Sequence, residues 1–146
     1  VPRSVLPTTQ AAVAAVTATA ERHGRSVTAS HDIGADQTFA GLLATGSDDA
    51  DPSAVPHEAL LEFGGTPAVT VRLFTHDEAR VTVEGVGFDV RREVLPDFLD
   101  AVWSGLAHVR VRTFPPAQTL KVAVPGEPTY REHVDLMTPW LWKVSR

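Results

Sequence analysis

Hydrophobic and polar positions in this chain change period several times, and each change predicts an element. Residues 8–23, TTQAAVAAVTATAERH, place Val13, Val16 and several alanines on one side at helical spacing. Thr8 or Thr9 suits the N-cap after Pro7, and Gly24 suits the position just past the end. Residues 25–30 predict a short strand. Asp36 is placed to cap a second helix, DQTFAGLLATG, with Phe39, Leu42 and Leu43 on one face and Gly46 as its stop. Residues 46–56, GSDDADPSAVP, carry acid, Ser and two prolines and predict a flexible loop.

The middle of the chain turns to period two. Residues 57–63, 68–74 and 79–86 predict three strands of an antiparallel meander, with Gly64-Gly65-Thr66-Pro67 as one turn. Gly85 and Gly87 suggest a bulge or bend at its end. Over residues 92–104 the helical period returns, with Leu95, Phe98, Leu99, Val102 and then Leu106 on one face. Pro96 fits the first turn of that helix and Gly105 its end. Residues 108–114 and 119–124 alternate again, with a turn at Pro115–Gln118, and predict a second hairpin. The tail, residues 135–146, has no assigned docking. Strands joined by tight turns pair antiparallel. The expected architecture is a single α+β domain over residues 1–146: a twisted antiparallel sheet of about five strands, meander plus C-terminal hairpin, with helices on one face.

Composition narrows the function. The chain has 146 residues, 43% apolar and 21% charged, enough for one self-sufficient core. It has no cysteine, which excludes disulfides, thiolate metal sites and cysteine nucleophiles and leans toward the cytoplasm. No apolar run reaches the roughly 20 residues of a membrane-spanning helix. The net charge is −5, and the deficit sits in residues 1–66, which hold three basic and eight acidic side chains. That balance argues against a general nucleic-acid binder.

His76-Asp77-Glu78 is the densest group of chemistry-bearing side chains. It falls between two strands where the chain must reverse, so a turn accounts for it, Asp bonding nearby backbone N–H groups. His31-Asp32 is a second His-Asp pair. Two such pairs resemble those of the HD phosphohydrolases. The likeness covers dipeptides only, and those enzymes carry them on helices, so no role is carried over. If His31, Asp32, His76 and Asp77 met in space, they would make a weak candidate for a His₂-carboxylate metal site. No phosphate loop, GxSxG elbow, HExxH spacing or cofactor motif is present.

Two other groups point to binding. His108, Arg110 and Arg112 alternate onto one strand face, and the hairpin brings Lys121 across from the arginines. Like charges facing each other cost stability, so the face calls for carboxylates or for an anionic ligand. Arg72, Arg80, Glu62 and Glu84 are expected to join this surface. In the tail, Trp140 and Trp142 share one side of an extended chain and form a candidate partner anchor. The leading expectation is therefore a non-enzymatic protein-interaction domain of neutralising (immunity-type) or chaperone-like character. It would engage another protein, a basic one suiting the acidic N-terminal part, or a second copy through the tail. The alternative is a small anionic-ligand binder, or a small metal-dependent hydrolase, using His108, Arg110, Arg112 and Lys121 with His76.

Overall fold

The computed structural model describes residues 9–31, 59–74 and 78–145. The helix expected over 36–46 and the loop expected over 46–56 lie outside the described residues. Helix α1 spans Thr9–Arg22. Five strands follow: β1 Val27–His31, β2 Ala59–Phe63, β3 Val69–Leu73, β4 Glu78–Val83 and β5 Val86–Arg91. A 3-10 turn, Arg92–Val94, leads into α2, Leu95–Trp103. Then come β6 Ala107–Thr113, β7 Pro116–Val122, β8 Tyr130–His133 and a short helix α3, Pro139–Lys143. Strands β1 to β5 form one meander sheet in sequence order, and β6 to β8 form another; every neighbouring pair is antiparallel. The fold is α+β. The C-terminal hairpin, expected to extend the meander, instead joins β8 in a sheet of its own.

Period two does what alternation demands. Ala59, Leu61 and Phe63, Val69, Val71 and Leu73, Ala79, Val81 and Val83, and Val86, Phe88 and Val90 are all buried on the inner face of the first sheet. Val109, Leu120 and Val122 do the same for the second sheet. Both rows belong to one core, and α2 lies between them, burying Leu95, Phe98, Leu99, Ala101 and Val102. Phe98 meets Phe88 of β5 at 5.3 Å between ring centroids and Tyr130 of β8 at 5.2 Å, edge-on. At the other end of α2, Trp103 meets Phe63 of β2 at 5.1 Å, also edge-on. Such pairs add about 0.5–1.5 kcal/mol each to their area burial.

Helix α1 packs against α2, burying Ala12, Val16, Thr19 and Ala20. Its small residues allow a close approach, and Gly24 caps its end at φ +68 as expected. His23 Nε2 lies 2.7 Å from Asp100 Oδ1, and its ring packs tilted against Trp103 at 5.6 Å between centroids, tying α1 to α2. Leu106, expected on the buried face of α2, lies beyond the helix end and is 44% exposed.

The stretch 79–86 is not one strand. The chain reverses at Glu84-Gly85, and β5 returns beside β4 with Val83 opposite Val86. Glu84 and Gly85 both have positive φ, 49 and 85, the geometry that a two-residue hairpin turn requires. Gly85 adopts it freely. Glu84 is held there by tertiary bonds: its Oε2 accepts from the Ala68 N–H at 2.6 Å and its Oε1 from the Thr138 hydroxyl at 2.6 Å. Thr138 is in turn the N-cap of α3, accepting from the Leu141 N–H at 3.3 Å. Gly87 is neither bulge nor bend. It sits inside β5, where a side chain would run into the Arg80 guanidinium.

Phe98 is fully buried and Phe114 is 89% exposed. Phe98→Ala is therefore expected to lower unfolding free energy by about 3–5 kcal/mol, and Phe114→Ala by less than about 0.5 kcal/mol, both read from urea titrations. Glu84→Gly eases the backbone but removes both carboxylate bonds. Its expected net loss is about 1–2 kcal/mol; a gain would show that the two bonds contribute little.

Candidate functional site

The outer face of the second sheet collects cations because the alternation of β6, β7 and β8 is in register. His108 pairs across to Lys121, and Lys121 across to Arg131. Arg110 pairs to Thr119, and Thr119 to His133; Arg112 pairs to Ala117. Side chains of paired residues share a face, so His108, Lys121 and Arg131 form one row and Arg110, Thr119 and His133 the next. Lys121 lies directly opposite Arg131 and diagonal to Arg110, a finer placement than the sequence allowed. The difference arises because the hairpin turns at Phe114-Pro115, with Pro116 and Gln118 already in β7, not at Pro115–Gln118. Arg110, Arg112, Lys121 and Arg131 line one shallow depression of about 500 Å³ together with Val111, Thr113, Ala117 and Thr119.

Among the described residues no carboxylate pairs with Arg110, Arg112, Lys121 or Arg131. His133, at the edge of the face, lies 3.3 Å from the exposed Asp135. The side chains expected to join this surface belong elsewhere. Arg72, Arg80 and Glu62 are on the outer face of the first sheet, where Arg80 pairs with Asp89 at 3.0 Å. Glu84 is in the β4–β5 turn. Alternation within β6 and β7 showed Arg110, Arg112 and Lys121; it did not show Arg131, whose row depends on β8 pairing with β7. Tyr130-Arg131-Glu132-His133 carries no apolar alternation, with Glu132 opposite Leu120, so no local signal placed Arg131 on this face.

His31 ends β1, opposite Ala59, while Asp32, His76 and Asp77 lie outside the described residues. β3 and β4 are antiparallel neighbours with Leu73 opposite Ala79, so the chain reverses between Leu73 and Glu78. Among the described residues no three His, Asp or Glu side chains are grouped to hold a metal ion. No helix among them is long and apolar enough to cross a membrane.

The tail is not extended. Trp140 and Trp142 sit on α3, with the fully buried Leu141 between them. Trp140 packs partly against the core and lines a cleft of about 320 Å³ with Arg25, Trp103 and Lys143, while Trp142 is 56% exposed. The two tryptophans therefore do not make one joint anchor surface of the extended kind. Compared with protein-family models, curated proteins and solved structures, the chain gives no match.

Opposed cations without counter-charges cost stability. Lys121→Gln removes the charge facing Arg131 and should raise unfolding free energy by about 0.2–1 kcal/mol at low salt. The gain should fade near 1 M salt, where screening acts within about 3 Å. Urea midpoints at both salt concentrations check this, and a loss at low salt would show that Lys121 is stabilising where it stands.

Proposed function

We propose that the chain is a non-enzymatic protein-binding module that docks an acidic partner protein on the outer face of β6–β7–β8. The observation that carries this is the row arrangement of Arg110, Arg112, Lys121 and Arg131 without carboxylate partners among the described residues. A partner's carboxylates would relieve their mutual repulsion and gain paired, bidentate contacts with the arginines.

Spacing favours a macromolecule over a small anion. Arg110 and Arg112 are two residues apart on a strand, about 6.8 Å, and Arg131 lies two strands from β6, roughly 9–10 Å away. That spread offers several carboxylates of one partner a separate cation each. Charge and aromatics favour a protein over nucleic acid. The chain is net −5, and the face has no aromatic within its rows, Phe114 standing only at the hairpin tip. Nucleic-acid platforms interleave several. A neutralising or chaperone-like role would use this face to cover an acidic surface of its target, and a cytoplasmic setting suits a chain without cysteine. Six of the eight acidic residues of the N-terminal part lie outside the described residues, so the earlier expectation of a basic partner draws no support from the described structure.

Poly-L-glutamate is the direct probe. Calorimetry should show binding at about 50 mM salt that weakens severalfold by about 200 mM. The triple variant Arg110→Glu, Arg112→Glu, Lys121→Glu should lose it. Equal binding by that variant, or tighter binding of a single-stranded oligonucleotide than of poly-L-glutamate, would overturn the proposal.

A further inference from the structure

The cleft beside the last helix has two walls. One comes from the body of the fold: Arg25 after α1, Trp103 at the end of α2, and the turn at Thr66-Pro67. The other comes from α3, chiefly Trp140 and Lys143. Both walls are fixed. Trp103 packs edge-on against Phe63 at 5.1 Å and tilted against His23 at 5.6 Å. Its Nε1 is buried and unpartnered among the described residues, so these ring contacts, and not a hydrogen bond of its own, hold it at the cleft. Helix α3 is tied at Thr138 to Glu84, and the Val144 carbonyl just past it accepts from the Val109 N–H at 3.0 Å.

Charge in the cleft is of one sign. Arg25 and Lys143 line it, and among the described residues no Asp or Glu does. Nor does any described carboxylate pair with either cation. Arg25 is half-buried, its guanidinium carbon 5.8 Å from the Trp103 ring centroid and its Nη1 donating to the Thr66 carbonyl at 2.9 Å. A side chain at Gly65 would run into that guanidinium, so glycine keeps its place clear. A guanidinium has further N–H donors beyond the one that a carbonyl takes. Arg25 is therefore oriented in advance and partly out of water, where a charge-assisted bond is strong. The cleft holds about 320 Å³, and pockets for small molecules run from roughly 300 to 1,000 Å³.

We infer that this cleft binds a small aromatic carboxylate, its ring against Trp103 and Trp140 and its carboxylate toward Arg25 and Lys143. The site is separate from the basic outer face of β6–β7–β8 and does not rest on the acidic-partner reading. Indole rings favour a flat apolar body, through stacked or edge-on contact. A carboxylate suits the cations better than a phosphate does. One half-buried arginine and one exposed lysine balance a single charge, and the indole walls would strip water from a phosphate dianion at greater cost. Touching both walls, the ligand also clips α3 to the body of the fold.

The probe is 2-naphthoate, titrated by calorimetry into the full chain. Its neutral analogue 2-naphthamide keeps the rings without the charge, and acetate keeps the charge without the rings. Each should bind about tenfold or more weaker. Lys143→Gln, at an exposed position, should weaken naphthoate binding about threefold, and Arg25→Gln about tenfold or more, with urea midpoints checking that both variants fold. Bound naphthoate should slow hydrogen exchange at the Val109 amide, which bonds the Val144 carbonyl beside the cleft. The triple variant Arg110→Glu, Arg112→Glu, Lys121→Glu should bind naphthoate as the parent chain does. Equal binding of naphthoate and naphthamide would overturn the inference, as would unchanged exchange at Val109. Loss in the triple variant with full binding by Lys143→Gln would place the anion on the outer face of β6–β7–β8 and overturn it too. If naphthoate does not bind, the inference falls and the acidic-partner reading stands; if naphthoate binds and poly-L-glutamate does not, the reverse holds.

Discussion

One aromatic side chain sets the terms for the whole molecule. Phe98 touches Phe88 of the first sheet and Tyr130 of the second, and it can do so only if both sheets close on the same helix. The inner faces of both sheets belong to one core with α1 and α2, and Leu95, Leu99, Ala101 and Val102 of α2 are buried in it. The inner faces are thereby spent on the core, and the outer face of the small sheet is left to solvent. The basic rows exist as a usable surface because of that division of faces.

Much of this was legible in the sequence, because burial on one face imposes strict alternation. The meander strands at 59–63 and 69–73, the helix after residue 92 and the hairpin strands all announce themselves by period. The β4–β5 hairpin does not. Its turn is Glu-Gly where Asn-Gly or Asp-Gly would be the ordinary signal, and Glu84 tolerates its backbone because Ala68 and Thr138, 16 and 54 residues away, bond its carboxylate. A contact that distant leaves no local trace. The final helix did carry a signal, Thr138 followed by Pro139 in N-cap and first-turn positions, but five residues are too few to show a period.

The candidate site divides in the same way. Arg110, Arg112 and Lys121 follow from counting by twos within strands. Arg131, and the absence of offsetting carboxylates on the face among the described residues, follow only from which strand pairs with which, and Glu62, Arg72 and Arg80 fall on another sheet for that reason. Periodicity assigns a side chain to a face of its own strand. It does not say which faces become continuous.

The last helix has a mechanical meaning. It is fixed at its start through Thr138 to the turn of one sheet and, just past its end, through Val144 to the edge strand of the other. A short rigid element pinned at both ends across two panels is a cross-brace, and it triangulates a frame that a shared helix alone would leave free to rack. Load applied along β6 has a route to the distant hairpin through five residues of helix, with Leu141 engaging the packed interior between the two pins.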